Sequence, residues 1–327
     1  MRFQSDHLII IISILAYLIS CKSPKTKTPR RNMIDKLSLW NETPQKDKIL
    51  SFVSEIVDVN APSYVPSEDR IAVFDFDGTI ACEKPYYMEV VVAMEQLCKL
   101  AKKDTLLLRD SLYIASCNKT YSYINTHTDE IILQAFLGYN QEVYLDSVSK
   151  TTSNSIDSRF DVTYSDLYYP PMLQLINYLK ENDFDVYIVS GSEEGFIRSF
   201  GEDYLQMERE KIIGSTVSLE YYFMSNNISS FIRQKQYLSP MSEGAGKAEL
   251  IRNRIGKQPI FAFGNSMGDF EMLTYSNSNP YKNLEMILIH DDPDEYIYYD
   301  AELEQKAKIY NWEYVNMSEN FREIFSN

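Results

Sequence analysis

The run Ile71-Ala72-Val73-Phe74-Asp75-Phe76-Asp77-Gly78-Thr79 constrains this chain more than any other stretch: four apolar residues lead straight into two carboxylates two positions apart, then Gly-Thr. A short uninterrupted apolar run bounded by turn signals, here residues 62–69 before it and Gly78 after it, reads as a strand buried on both faces. Alternate residues of a strand share a face, so Asp75 and Asp77 start out pointing the same way, and Gly78 lets backbone N–H groups turn in beside them. Such a strand end suits a metal ion and a phosphate.

The rest of the chain supplies the frame. Ile49, Phe52, Val53, Ile56 and Val57 recur at helical spacing within residues 47–60, an amphipathic helix that delivers the chain to the first strand. A helix over 172–181, entered through Pro170-Pro171, precedes a β-branched strand over 185–190. Further strands are read over 211–215, 260–263 and 286–290, with a helix over 247–255 between them. This alternation predicts an α/β fold: a Rossmann-like, doubly wound, mostly parallel sheet with helices on both faces. Residues 85–166 break the rhythm. Stretches 88–103 and 129–139 look helical, so the segment is read as a helical cap inserted after the first strand, with the polar residues 147–164 as its return linker. Alternating aromatics over 216–238 suggest a hairpin.

Open α/β sheets hold ligands at the carboxyl ends of their strands, and three polar clusters sit just after predicted strands. They are Asp75 to Thr79, Ser190-Gly191-Ser192, and Gly264-Asn265-Ser266-Met267-Gly268-Asp269, with Lys247 heading the helix before the third. Taken singly each has an ordinary reading: a solvated turn, a Ser-Gly turn, a surface lysine at a helix start. Their order and spacing resemble the four motifs of the haloacid dehalogenase-like phosphohydrolases over roughly residue 45 to the C-terminus. Cys82-Glu83-Lys84-Pro85, the run from Gly264 to Leu273, and His290-Asp291-Asp292-Pro293-Asp294-Glu295 resemble the branch that includes phosphoserine phosphatases.

The resemblance implies a mechanism, residue by residue. Asp75 would be the nucleophile that becomes an aspartyl phosphate, and Asp77 the general acid for the leaving oxygen, then the base for water. Mg²⁺ would be the cofactor, held by Asp75, the backbone oxygen of Asp77, Asn265 and Asp269. Gly78, Thr79, Ser190, Gly191 and Lys247 would receive the phosphoryl group, with Ser190 and Lys247 also neutralising the transition state. Asn265 stands where an acidic ligand is usual, which removes one negative charge and leaves open whether Asn265 or Asp269 meets the metal. Glu83, with Lys84, is a candidate for reading a polar substrate, as are Glu194 and Arg198 after the second motif; all four have an ordinary surface reading. His290 with Asp291 and Asp292 is read as structural rather than as a metal site.

The expected activity is Mg²⁺-dependent hydrolysis of small phosphomonoesters. The alternatives are a phosphotransferase or phosphomutase of the same superfamily, or a non-catalytic binding protein on this fold, which Asn265 motivates. Dehalogenation fits less well, because an acid such as Asp77 is not needed to expel halide.

At the N-terminus, residues 8–19 are mostly apolar but shorter than the roughly 20 residues that span a bilayer, so they read as a signal-peptide core within a leader over 1–20. Leu18-Ile19-Ser20-Cys21 resembles a bacterial lipobox, which would make Cys21 the lipidated first residue of an exported, membrane-anchored lipoprotein, periplasmic or at the cell surface. An ordinary export signal or short anchor is the other reading. The domain plan is then leader 1–20, tether 21–44, core 45–84 with 167–327, and cap 85–166. A net charge of −15 disfavours nucleic acid as a partner. Cys98 and Cys117 are read either as a disulfide or as two buried thiols.

Overall fold

A computed structural model of the protein describes residues 36–223 and 228–325; the proposed leader, Cys21 and most of the tether lie outside them. Residues Leu37–Asn327 make one unit. Its centre is a six-stranded sheet built from β1 (Ile71–Phe74), β2 (Asp185–Glu193), β3 (Ile212–Ser215), β6 (Phe261–Gly264), β7 (Leu284–Ile289) and β8 (Glu313–Asn316), in the order β8-β7-β6-β1-β2-β3. All five neighbouring pairs are parallel. The antiparallel hairpin β4 (Val217–Phe223) and β5 (Ser229–Tyr237) stands apart from this sheet.

β1 shows why the sheet needs helices on both sides. All four of its residues are buried, and successive side chains enter two different cores. Ala72 and Phe74 pack with Ile49, Phe52, Val53 and Ile56 of α1 (Pro44–Val57) and with Met172, Leu175, Ile176 and Leu179 of a later helix, α6 (Pro170–Lys180). Ile71 and Val73 pack on the other side with Leu250, Ile251, Met272, Leu273, Leu303 and Ala307. Period-2 alternation thus serves two apolar faces, the signature of a central parallel strand.

Between β1 and Pro170–Lys180 the chain builds the expected helical segment: α2 (Met88–Lys103), α3 (Ser111–Asn118), α4 (Thr128–Ala135) and α5 (Gln141–Asn154), with one-turn pieces between them. A disulfide joins Cys98 of α2 to Cys117 of α3, their Cα atoms 5.0 Å apart, and Cys82 is a buried free thiol. The hairpin leans on this segment: the Gly138 N–H donates to the Arg233 carbonyl at 3.0 Å and the Arg233 N–H to the Tyr139 carbonyl at 2.9 Å.

Two expectations change. The stretch 147–164, read as a return linker, is helical to Asn154 and then forms a small ribbon, Ile156–Asp157 with Val162–Thr163. Its Ser and Thr hydroxyls fold back on carbonyls one turn earlier, as Thr151 does to Ser147 and Thr152 to Val148, while Tyr144, Val148 and Thr152 bury one stripe. The tether predicted to run to residue 44 meets the body earlier, at Leu37. Leu37 and Trp40 are fully buried; the Trp40 ring packs edge-on against Phe321 at 5.1 Å, and its indole N–H donates to the Pro171 carbonyl at 2.9 Å. Thr43 then caps α1, with Pro44 in the first turn.

Candidate active site

The strand order fixes where a ligand can enter. From β1 the chain runs outward through β2 and β3, then crosses back to place β6 on the other side of β1. At that reversal the connections leave in opposite directions and a crevice opens at the carboxyl ends of β1 and β6. Asp75 follows β1 there, its N–H held by the Phe263 carbonyl at 2.9 Å, and Asn265 follows β6.

Lys247 is brought in by α7 (Ala245–Arg254), whose first turn is jammed against the preceding loop: a Cβ on Gly246 would lie 1.8 Å from the Met241 carbonyl oxygen. The glycine before this lysine therefore serves close approach as well as flexibility. The Lys247 ammonium lies 2.5 Å from Asp75 Oδ1 and 2.6 Å from Asp269 Oδ1, with all three residues at most 5% exposed. Burial works against the ammonium, but Asp269 and Asp75 outweigh it and hold Lys247 protonated above the ordinary lysine range. Burial also pushes the Asp75 carboxyl up; Asp269 adds to the effect and Lys247 opposes it.

Asp77 is placed differently. The Ser190 and Ser192 hydroxyls both donate to its Oδ2, at 3.1 and 2.7 Å, and its Oδ1 is buried without a partner. Residues 190 and 192 sit two apart on β2, so both hydroxyls face the same way. Burial raises the Asp77 pKa to about 6 against the pull of these bonds.

Gly78 makes the turn at φ +75°, and its N–H donates to the Ala81 carbonyl at 2.7 Å. A Cβ there would sit 2.1 Å from Asn265 Nδ2, so glycine is required by both the backbone and its neighbour. The fully buried Thr79 hydroxyl lies 3.2 Å from Asn265 Oδ1 and 3.5 Å from Asp75 Oδ2. Asn265 Nδ2 donates to Glu83 Oε1 at 3.3 Å. Asp269 lies behind this group: its Oδ1 meets Lys247, and its Oδ2 accepts the N–H groups of Asn265 and Ser266 at 2.9 and 3.1 Å.

A cavity of about 310 Å³ opens over these residues, with Asp75, Asp77, Glu83, Gly191, Ser192 and Lys247 on its wall. Gly78, Thr79, Ser190, Asn265 and Asp269, also expected at the site, stand behind the wall and hold those that face it. Glu194 and Arg198 do not line it. They pair with each other at 2.9 Å, and Arg198 is tied to the Arg209 and Ile212 carbonyls. Lys84 lies with its ammonium 4.5 Å from the Tyr298 ring centre. His290 sits against the Gly78 turn: its Nε2 is 2.7 Å from the Gly78 carbonyl oxygen and its Nδ1 3.2 Å from Glu295.

Among the described residues no group of three or more His, Cys, Asp and Glu forms a cluster that could hold a metal. On the side of Asp75 away from Lys247 stand oxygen groups, the Thr79 hydroxyl and the Asn265 amide oxygen. The Thr79 hydroxyl lies within 3.5 Å of both Asp75 Oδ2 and Asn265 Oδ1, so a carboxylate and an amide oxygen meet at one hydroxyl, and both Asp269 oxygens are bonded to Lys247 and to backbone N–H groups. Carboxylate and amide oxygens are the donor type a hard divalent cation takes. The electrostatics point the same way: Lys247 offsets Asp75 and Asp269, Lys84 pairs with Glu83 at 3.4 Å, and Asp77 has no cation paired with it among the described residues. A phosphate dianion needs further positive charge to enter.

Sequence reasoning missed the part of the wall built by Tyr87, Glu89, Asp129, Tyr237 and Glu243. Most of these come from the helical segment and the hairpin, where no local pattern points at the cavity.

No curated protein matches the chain. Among solved structures, a conserved protein of unknown function from Anaerococcus prevotii DSM 20548 aligns at TM-score 0.52 and 17% identity, over 82% of this chain and 90% of that one. Cytosolic 5'-nucleotidase IIIB aligns at 0.46 and 12%, over 83% and 84%. A phosphoserine phosphohydrolase-like protein from Francisella tularensis subsp. tularensis SCHU S4 aligns at 0.38 and 19%, over 76% and 97%. The first of these likenesses supports the fold. Residues 72–274 match the model of the haloacid dehalogenase-like hydrolases, and the chain belongs to that family.

Proposed function

We propose that this protein is a divalent-cation-dependent phosphomonoesterase working through a covalent Asp75 phosphoenzyme. The observation that carries the reading is the pairing of two buried carboxylates with different surroundings on one cavity wall: Asp75 against an ammonium, Asp77 against two hydroxyls.

The division of labour follows from those surroundings. Lys247 keeps Asp75 oriented and offsets the repulsion between a carboxylate nucleophile and a phosphate. An Asp75 oxygen attacks phosphorus, the ester P–O bond breaks, and Asp77 gives its proton to the departing alkoxide. A pKa of about 6 lets Asp77 carry that proton near neutral pH. Asp77 then takes a proton from water as the water oxygen attacks phosphorus, which breaks the Asp75–phosphorus bond and releases phosphate. A Mg²⁺ ion held by Asp75, the Asp77 carbonyl and Asn265 would supply the remaining positive charge. Gly191 and Ser192 are on the wall beside Asp77 to receive phosphoryl oxygens.

The test is turnover of p-nitrophenyl phosphate and a panel of small phosphate esters with and without Mg²⁺. Asp75→Asn is expected to lower kcat at least a thousandfold, and EDTA to suppress it. Turnover that survives both refutes the mechanism. We also infer export and lipid anchoring at Cys21. The apolar run before it supports this, as does the Cys98–Cys117 disulfide, since such bonds persist in oxidising compartments. Cys21→Ala should release the protein from the membrane fraction; retention there argues against the anchor.

A further inference from the structure

We propose that the cavity selects a phosphate ester whose leaving group carries a positive charge, an amino alcohol, with its ammonium placed against Glu89. The inference rests on the phosphomonoesterase reading and names the substrate class for that site.

Beyond the groups assigned to chemistry, the cavity wall carries Glu89 from the first turn of α2, Asp129 from the first turn of α4, and Glu243 from the loop before α7. Lys247 is the one lysine or arginine among the residues lining it, and Lys247 is held by Asp75 and Asp269. A leaving group with its own carboxylate or phosphate would meet like charge there.

Glu89 carries the argument beyond a simple acidic surface. It is 4% exposed; its Oε2 accepts the Glu193 N–H at 3.1 Å, and its Oε1 is buried with no hydrogen-bond partner. Buried polar atoms are rarely left in that state, and one on a cavity wall points to a group the cavity receives. The nearby cation, Arg233, is engaged elsewhere: its guanidinium lies on the Tyr144 ring at 3.5 Å and reaches Glu193 at 3.4 Å and Gln141 at 3.0 Å. Burial, and then the Glu193 charge, push the Glu89 pKa up to about 8. An incoming ammonium reverses that balance by stabilising the ionised carboxylate. Tyr87 and Tyr237 lie on the same wall, and aromatic residues attract alkylammonium groups. A space of about 310 Å³ suits phosphate joined to a small amino alcohol.

Choline phosphate and 3,3-dimethylbutyl phosphate share a shape and differ by the charge, so the pair isolates the proposed interaction. The wild-type protein with Mg²⁺ should show kcat/KM at least tenfold higher for choline phosphate. Glu89→Gln, its fold checked by circular dichroism, should reduce the ratio below threefold. Calorimetric binding of the same two esters to Asp75→Asn should show the same preference without turnover. Equal kcat/KM and equal binding overturn the proposal while leaving the phosphatase reading standing. A binding preference without hydrolysis of any ester upholds the cation site and refutes the phosphatase reading. A preference unchanged by Glu89→Gln overturns the assignment to Glu89, and if that variant fails to fold, the wild-type comparison decides.

Discussion

Placing an acid at position 265 tests how the site balances its charge. Asn265 Nδ2 lies 3.3 Å from Glu83 Oε1, and the Thr79 hydroxyl lies 3.2 Å from Asn265 Oδ1. In Asn265→Asp the amide donor toward Glu83 becomes a second anionic oxygen. Two unit charges at that separation repel by about 5 kcal/mol at an effective dielectric of 20. Side-chain rotation, proton uptake and the Lys84 ammonium, 3.4 Å from the same Glu83 oxygen, relieve part of this, leaving a cost of about 1–3 kcal/mol without a divalent cation. For a domain of this size that lowers the unfolding midpoint by roughly 2–6 °C. With Mg²⁺ the order narrows or reverses, since one more anionic ligand should tighten binding at least tenfold, about 1.4 kcal/mol. Thermal unfolding followed by tryptophan fluorescence across a Mg²⁺ titration reads both effects and needs no turnover. Two proteins that melt together without Mg²⁺, and rise equally with it, would refute the reasoning.

Three further perturbations have defined outcomes. Gly78→Ala puts a Cβ onto Asn265 at a φ of +75°; it should lower the melting temperature and cut kcat/KM at least tenfold, and near wild-type values would show that the loop yields freely. Ser192→Ala removes a donor to the ionised form of Asp77, so the Asp77 pKa rises. Because kcat/KM requires the protonated acid and falls as pH climbs past about 6, its alkaline limb for an alkyl phosphate should move up by as much as about one pH unit; an unmoved limb removes Asp77 from the acid role. Glu285, buried in β7 with the Ser276 hydroxyl 2.8 Å from it, has a pKa raised by burial to about 7. A carboxyl raised in the folded state stabilises the fold when protonated, and that stability is lost as pH rises from the unfolded pKa of 4.5 through 7. Glu285→Gln should therefore gain up to about 3 kcal/mol at pH 8 and little at pH 4 in urea unfolding; equal gains at both would contradict the shift.

What could be read in advance was what local spacing encodes. The apolar run into Asp75, the glycine after Asp77, and serines two apart on β2 each follow from a strand's period of two and the needs of a tight turn. The second role of Ser190 was not visible: it holds Asp77 from behind while Ser192 takes the wall. Trp40 hid in a polar stretch because its partners, Pro171 and Phe321, are far along the chain. Glu89 carried no local signal, since nothing nearby in the sequence announces that Glu193, Tyr144 and Arg233 gather around it. The helix through residue 154 escaped because Ser and Thr look like loop formers until their hydroxyls find carbonyls one turn back.

β1 also has consequences for synthesis. The strand that leads into Asp75 comes first in the sheet's chain order yet sits between β2 and β6, and Thr79 meets Asn265 across 186 positions. At 5–20 residues per second, roughly 10–40 s pass before both neighbours exist. Through that interval Ile71–Phe74 is an apolar strand with an open edge, a target for wrong pairing. The central placement that buries the nucleophile thus makes a holding chaperone valuable while the chain is made, and delays assembly of the active site until the last third of the protein has emerged.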